Sequence, residues 1–319
     1  MTKLERILLN LPPVRFVTEK TKHIILPGFD KVPLYDVIVF FLSQVKKVGL
    51  TERASAVAYN FIMAIPPTCL FIFTLIPQLP FIPKDTIEAQ LHHLINDMIP
   101  AKEYNRGIID FVDGFLNQPR VGLISFGFVL LIFFASNGMM GLMRSFNKNY
   151  IGFEKRSDLK SRWMAIKLTF IILGLLVACL VLLAMQGAVL RWLGVKAKLA
   201  AIISPVRWVF IIGLVFYAIA FIYKYAPAMQ KRWKLVSPGS ILATFLSLLA
   251  TLGFSFFVSN FGKYNALYGS IGTIIVAMIL IYINALVLLI GYELNVSIHS
   301  IKALADERAR HETSGVPVP

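Results

Sequence analysis

Apolar residues are concentrated in six stretches of the chain, and most polar and charged residues fall between them. Each stretch is long enough to cross about 30 Å of hydrocarbon as a helix, which takes roughly 20 residues. The predicted spans lie near Ala54–Ile76, Val121–Met143, Trp163–Leu193, Val206–Tyr225, Ser237–Asn260 and Ile271–Ile298. The pattern predicts an all-α, polytopic membrane protein with six transmembrane helices.

A shorter amphipathic segment, Leu34–Leu50, precedes the first span. Pro33 just ahead of it suits the start of a helix. Its apolar side chains follow helical spacing: Leu34, Val37, Ile38, Phe41, Leu42 and Val45. We expect an N-terminal amphipathic helix that lies in the membrane interface with its apolar face towards the lipid. The alternative is a helix packed against the bundle on both faces.

These elements divide the chain into three parts. Residues 1–33 form an N-terminal segment, and residues 34–300 form the six-helix membrane domain. That domain includes a loop at 77–120, which carries two amphipathic runs and six acidic residues. Residues 301–319 form a tail that we expect to be disordered.

Composition and charge support a membrane protein and exclude a soluble one. The chain is 57% hydrophobic and 15% charged, with a mean hydropathy of +0.71, whereas soluble domains are about 25% charged. A net charge of +15, taken alone, is typical of a nucleic-acid-binding protein. However, Lys and Arg are unevenly divided between the two sides of the predicted membrane. One side, made of both termini and the loops between spans 2 and 3 and between spans 4 and 5, holds 21 of them, and the loops on the other side hold 7. Cytoplasmic loops retain such residues, so both termini are predicted to be cytoplasmic and nucleic-acid binding is not expected.

Several residues inside the spans are unusual for a lipid environment. Pro66 and Pro67 lie near the middle of the first span, where they predict a kinked or opened helix. Asn60, Asn137 and Asn284 are costly in lipid and should face the protein interior or a wet cavity. All five residues are candidates to line a substrate pathway. Interhelical packing and hydrogen bonding are the alternative.

Glu293 is the one carboxylate in the sequence after Asp158 that lies within a predicted span. We expect it near the cytoplasmic end of the sixth helix, at about the depth of Arg53 and Arg144. A structural salt bridge to either arginine is one interpretation. A cytoplasmic gate formed by Arg144 and Glu293 is the other.

Several motifs in order along the chain resemble the YihY/BrkB family of membrane proteins. The resemblance covers roughly residues 34–301, although the family more often has one proline at Pro66-Pro67 and a small residue at Tyr292. It rests on Ala54-Ser55-Ala56-Val57-Ala58-Tyr59, Pro66, Arg144, Asn147, Tyr225-Ala226-Pro227, Trp233, Pro238-Gly239, Tyr264, Tyr268-Gly269-Ser270 and Gly291-Tyr292-Glu293-Leu294-Asn295.

The resemblance implies a bacterial inner-membrane protein with six helices, and it implies no settled activity. Members were once labelled ribonucleases, but metal-dependent RNA cleavage needs clustered ligands for the ion. The five histidines are instead scattered along the sequence at His23, His92, His93, His299 and His311. We therefore expect no catalytic residue, no metal and no cofactor.

Two functions remain open. The first is a transporter or translocation protein for an amphipathic, lipid-like envelope component, in contact with membrane lipids. The second is a non-transporting envelope scaffold that acts through protein partners, with the loop at 77–120 as its working surface.

Overall fold

The computed structural model describes most of the 319-residue chain. The described residues are 19–22, 24–29, 32–47, 49–75, 92, 109–110, 113, 121–146, 156–184, 197–229, 232–260 and 263–314. Their helices are α1 (Leu34–Lys47), α2 (Leu50–Leu75), α3 (Val121–Phe146), α4 (Asp158–Ala184), α5 (Ala197–Tyr225), α6 (Pro238–Asn260) and α7 (Lys263–Ser314).

The described part of the chain is helical, as predicted, and five of its helices are long and apolar enough to cross a membrane. These segments are Ser125–Phe146, Asp158–Cys179, Trp208–Tyr225, Pro238–Phe257 and Ala277–Glu307. The first predicted span falls in α2, which is not among the five. The count of six spans therefore stays a prediction.

Helices α2 to α7 pack in chain order and form a ring. Each helix contacts the next one along the chain, and α7 returns to contact α2. We call this α2–α7 contact the closing seam, because it joins helices that are far apart in sequence. At one end of the ring α2, α4 and α6 begin and α3 and α5 end. We call this the basic end, since it adjoins the loops rich in Lys and Arg.

Helix α1 packs on α7 by one face. Val37 is fully buried in a small cluster with Phe29, Val32 and Ile298. On the rest of the helix, three apolar side chains are exposed: Ile38, Val39 and Leu42. The protein therefore covers one face only, which favours the interfacial alternative over a helix buried on both faces. Its position in a membrane stays a prediction.

Helix α7 is far longer than the span predicted from the sequence. Its 52 residues extend about 78 Å at 1.5 Å per residue, which exceeds the thickness of a bilayer. The expectation of a disordered tail is therefore wrong for residues 301–314, which continue the helix. Ala303, Leu304, Ala305 and Glu307 all favour helix, so the segment does not end at the membrane boundary.

The first span was predicted to kink or open at its two prolines. Helix α2 runs through Pro66 and Pro67 as one helix, so it does not open there, and the kink stays a prediction. Each proline lacks the N–H that would bond the carbonyl four residues earlier. The hydroxyl of Thr68 donates to the carbonyl of Ala64 at 2.6 Å, which adds a local bond at this point. Pro67 is buried, whereas Pro66 is exposed on the outside of the bundle.

Helices α6 and α7 cross at a backbone contact made by two glycines. A Cβ atom on Gly291 would lie 2.6 Å from both the Gly239 carbonyl oxygen and the Tyr223 hydroxyl. One turn further along α7, the Asn295 Oδ1 accepts the Gly239 N–H at 2.8 Å and its Nδ2 donates to Ser237 Oγ at 2.9 Å. Asn295 thus satisfies a free N–H at the start of α6.

The contact between the two glycines predicts that a Gly→Ala substitution changes stability at position 291 but not at position 253. Gly291→Ala should destabilise the protein by about 1–3 kcal/mol, because the added methyl group overpacks the α6–α7 contact. Gly253→Ala, where a Cβ would meet nothing within 4 Å, should be neutral or stabilising. The melting temperature of each variant in detergent measures the effect. Equal melting temperatures for the two variants would contradict the close contact.

Candidate functional site at the basic end

A buried ion pair joins α2 to α7 at the closing seam. Arg53 Nη1 lies 2.6 Å from Glu293 Oε1, with Arg53 8% exposed and Glu293 fully buried. Arg53 Nη2 also donates to the carbonyl of Ser145 near the end of α3. One guanidinium therefore ties together the start of α2, the end of α3 and the middle of α7.

The helical period of α2 explains why an arginine points inward here. The buried positions in its first turns follow the i, i+3, i+4, i+7 spacing of one helix face: Leu50, Arg53, Ala54, Val57 and Ala58. Arg53 thus occupies a position on the apolar stripe that packs against α3 and α7.

The sequence left two candidate partners for Glu293, Arg53 and Arg144, and the structure distinguishes them. Arg53 makes the ion pair, whereas the side chain of Arg144 is exposed at the end of α3. Of the two salt bridges expected for Glu293, the structure contains the one to Arg53. Arg144 lies at the same end of the bundle, but its side chain is on the exposed side of α3. A gating role for these residues stays a prediction.

An aromatic cluster lies at the same end of the bundle as the ion pair. The ring of Tyr292 stacks on Phe146, with 3.9 Å between centroids and 8° between planes, and its hydroxyl donates to the Phe146 carbonyl at 2.8 Å. The hydroxyl of Tyr223 donates to the Leu288 carbonyl at 2.6 Å. Trp233 lies 5.6 Å from Tyr292, and its buried Nε1 has no hydrogen-bond partner. These contacts hold α7 against α3 and α5.

The contact between α2 and α7 depends on both charges of this pair. Burying two charges costs several kcal/mol per ion, and their attraction offsets that cost only while the pair stays intact. Separating α2 from α7 would leave both charges without their partner, unless a substrate or water solvates them. The intact pair therefore favours the closed seam.

The three asparagines predicted for the pathway lie at different helix contacts. Asn60 donates to a carbonyl of its own helix at 2.7 Å, beside α3. Asn137 accepts from Arg162 of α4 at 2.5 Å. Asn284 accepts from Ser247 of α6 at 2.5 Å. Two of the three therefore make interhelical hydrogen bonds, and these contacts do not gather the asparagines at one surface. Their pathway role, like that of the two prolines, stays a prediction.

The loop at 77–120 lies mostly outside the described residues, as do His93 and Asp97 within it. In its described part, His92 Nε2 lies 2.7 Å from Asp113 Oδ1, and both side chains are about 30% exposed. Across the described residues, no group of three or more His, Cys, Asp and Glu is placed to hold a metal ion.

Sequence reasoning missed several residues of the site. Arg162, Ser247 and Asn295 make interhelical bonds that no single helix pattern reveals. The spacing of Gly291 and Asn295 was a usable signal, since residues four apart share one helix face. Ser237-Pro238-Gly239 suits the start of a helix, but the sequence does not reveal its partner Asn295 on α7.

These features define a helical integral membrane protein whose first and last ring helices are joined by a buried charge pair. The chain belongs to the BrkB family: the model of that family, described as Virulence factor BrkB, matches residues 41–315. The resemblance predicted from the sequence is confirmed.

Relatives cover most of this chain. A ribonuclease-like protein of Bacillus subtilis, YfkH, is 30% identical over 267 residues, covering 82% of this chain and 94% of its own length. A UPF0761 membrane protein of Haemophilus influenzae is 24% identical over 259 residues, covering 80% and 92%. One of Alteromonas mediterranea is 21% identical over 295 residues, covering 89% and 94%. No solved structure matches the chain significantly.

The assignment of the ion pair predicts unequal effects for two substitutions that each remove one positive charge. Arg53→Gln should destabilise the protein by about 3–5 kcal/mol, because it leaves Glu293 buried without its cation. Arg144→Gln removes the same charge from an exposed side chain and should change stability by no more than about 0.5 kcal/mol. Thermal melting in detergent compares them. A larger loss for Arg144→Gln would show that the pairing is wrong.

Proposed function

We propose that this protein is a bacterial inner-membrane transporter that moves an amphipathic, lipid-like envelope component, with both termini in the cytoplasm. The orientation is supported by the 21 Lys and Arg in one set of loops and termini against 7 in the other, which follows the positive-inside rule. The basic end would then face the cytoplasm.

The observation that carries the proposal is the buried Arg53–Glu293 pair at the closing seam. Ionisable groups within membrane-spanning segments are costly and commonly mark substrate or ion routes. A purely structural contact at this place needs no charge, because an apolar pair of similar volume is often as stable or more so. A removable lock is a physical reason to place charges there.

The position of the lock suits an amphipathic substrate. The other neighbouring helices of the ring follow one another in the chain, whereas α2 and α7 are the first and last. Their separation opens the ring sideways towards lipid without moving two consecutive helices apart. A polar headgroup could then solvate Arg53 and Glu293 while its apolar chains stay in the bilayer. The revised gate is therefore Arg53 and Glu293.

The scarcity of acidic residues favours such a substrate over a coupled ion. Ion-coupled transport usually depends on titratable groups or cation sites inside the membrane. The sequences of α3, α5 and α6 contain no Asp or Glu, and α4 contains Asp158 alone, at its first position. The exposed apolar side chains on these helices suit contact with lipid.

Replacing both charged residues of the pair with apolar ones tests the gate without lowering stability. In the double variant Arg53→Met/Glu293→Leu the seam should stay closed and the melting temperature should be kept or raised. Flux of a fluorescent phospholipid in proteoliposomes should fall at least about tenfold, because nothing favours opening. Arg144→Gln serves as the control and should keep its flux. Unchanged flux in a folded double variant would rule out the gate.

The pathway residues are tested by a second variant. In Asn137→Leu/Asn284→Leu, flux should fall while the lock stays intact. Flux equal to that of the unmodified protein, in a folded variant, removes these asparagines from the route. If the unmodified protein moves no lipid and a protein partner is extracted with it, the scaffold alternative replaces the transporter. Substitution of the loop at 77–120 by a short linker should then abolish that partnership.

A further inference from the structure

An arginine lies in the groove between α3 and α4, one turn after Asp158 at the start of α4. Arg162 Nη1 donates to Asn137 Oδ1 at 2.5 Å, and its Cζ lies 5.2 Å from the ring centroid of Phe133. Phe133 is exposed on the outside of the bundle. The guanidinium is therefore held by a neutral amide and an aromatic face at the lipid side of the protein.

A lysine and a tryptophan lie on the exposed outer face of the same part of α4. Trp163 is 61% exposed, and Nζ of the exposed Lys167 lies 5.3 Å from the Trp163 ring centroid. Lys167 follows Trp163 by one turn, so its side chain turns back towards the basic end, as snorkelling lysines do. We call Lys160, Arg162, Trp163 and Lys167 the α4 cation surface, with Lys160 also exposed.

The helices around this surface supply almost no negative charge. Helix α3 has no Asp or Glu, and α4 has only Asp158 at its exposed start. Tryptophan next to Lys and Arg is typical of the depth at which headgroups lie. Anionic headgroups attract such basic residues with about 1 kcal/mol for each Lys or Arg near the surface. The surface thus has the charge and the depth to meet a lipid phosphate.

We propose that the α4 cation surface binds the headgroup of an anionic phospholipid in the leaflet at the basic end. Arg162 keeps N–H donors beyond the one that bonds Asn137, and these suit a phosphate oxygen. Lys167 adds the second cation, and Trp163 packs beside the glycerol region. This site lies on the outside of the ring, away from the closing seam, and does not depend on transport.

The test compares two variants that lose the same charge. The full chain is reconstituted in vesicles of phosphatidylethanolamine and phosphatidylglycerol at about 3:1 and released for native mass spectrometry. Arg162→Gln/Lys167→Gln should lower the retained phosphatidylglycerol about thirtyfold. Arg232→Gln/Lys234→Gln, two exposed positions after α5, should lower it less than about twofold. Equal losses in both variants, or no loss in either, would overturn the proposal.

A second readout covers the case in which the double variant folds poorly. Lys167→Gln changes an exposed side chain and should fold normally while losing about fivefold in lipid retention. The fluorescence of Trp163 is measured as the part of the tryptophan signal that disappears in Trp163→Phe. Phosphatidylglycerol with brominated chains should quench this part. Phosphatidylethanolamine with the same chains should quench it less. Equal quenching by the two lipids, or a dimer in place of bound lipid, would contradict an anionic-lipid site.

Discussion

A carboxylate and a guanidinium can remain inside an apolar bundle only while they neutralise each other, and this constraint governs the contact between Arg53 and Glu293. The pair joins the first helix of the ring to the last. Because Arg53 also bonds the Ser145 carbonyl, the position of α3 depends on the same guanidinium. Three helices are thus coupled through two side chains.

The short segment Leu288–Val296 of α7 holds the rest of the basic end in place. Within it, Tyr292 stacks on α3 and Glu293 pairs with α2. Gly291 lets α6 approach, and Asn295 caps the start of that helix. The Leu288 carbonyl accepts the hydroxyl of Tyr223 from α5. A rotation or shift of this segment would therefore reach four helices at once.

The sequence predicted the helices well because long apolar stretches are a strong signal, and it predicted tertiary partners poorly. The end of α7 was missed because the tail is charged, yet its residues favour helix. The partner of Glu293 stayed open between Arg53 and Arg144, since depth alone does not give the direction of a side chain. The stripe from Leu50 to Ala58 contains the information needed to choose Arg53. The bond between Arg162 and Asn137 depends on how two helices pack, which the spacing along one helix does not reveal.

Spin labels across the closing seam test the central claim, that the Arg53–Glu293 pair is a lock that opens. Labels at Thr51→Cys and Leu304→Cys, both exposed positions, would be placed in a chain without Cys69 and Cys179 and measured in lipid nanodiscs by pulsed electron resonance. The account predicts a short and a longer distance in this chain, and only the short one when Arg53→Met/Glu293→Leu is added. A single distance that is the same in both would contradict it.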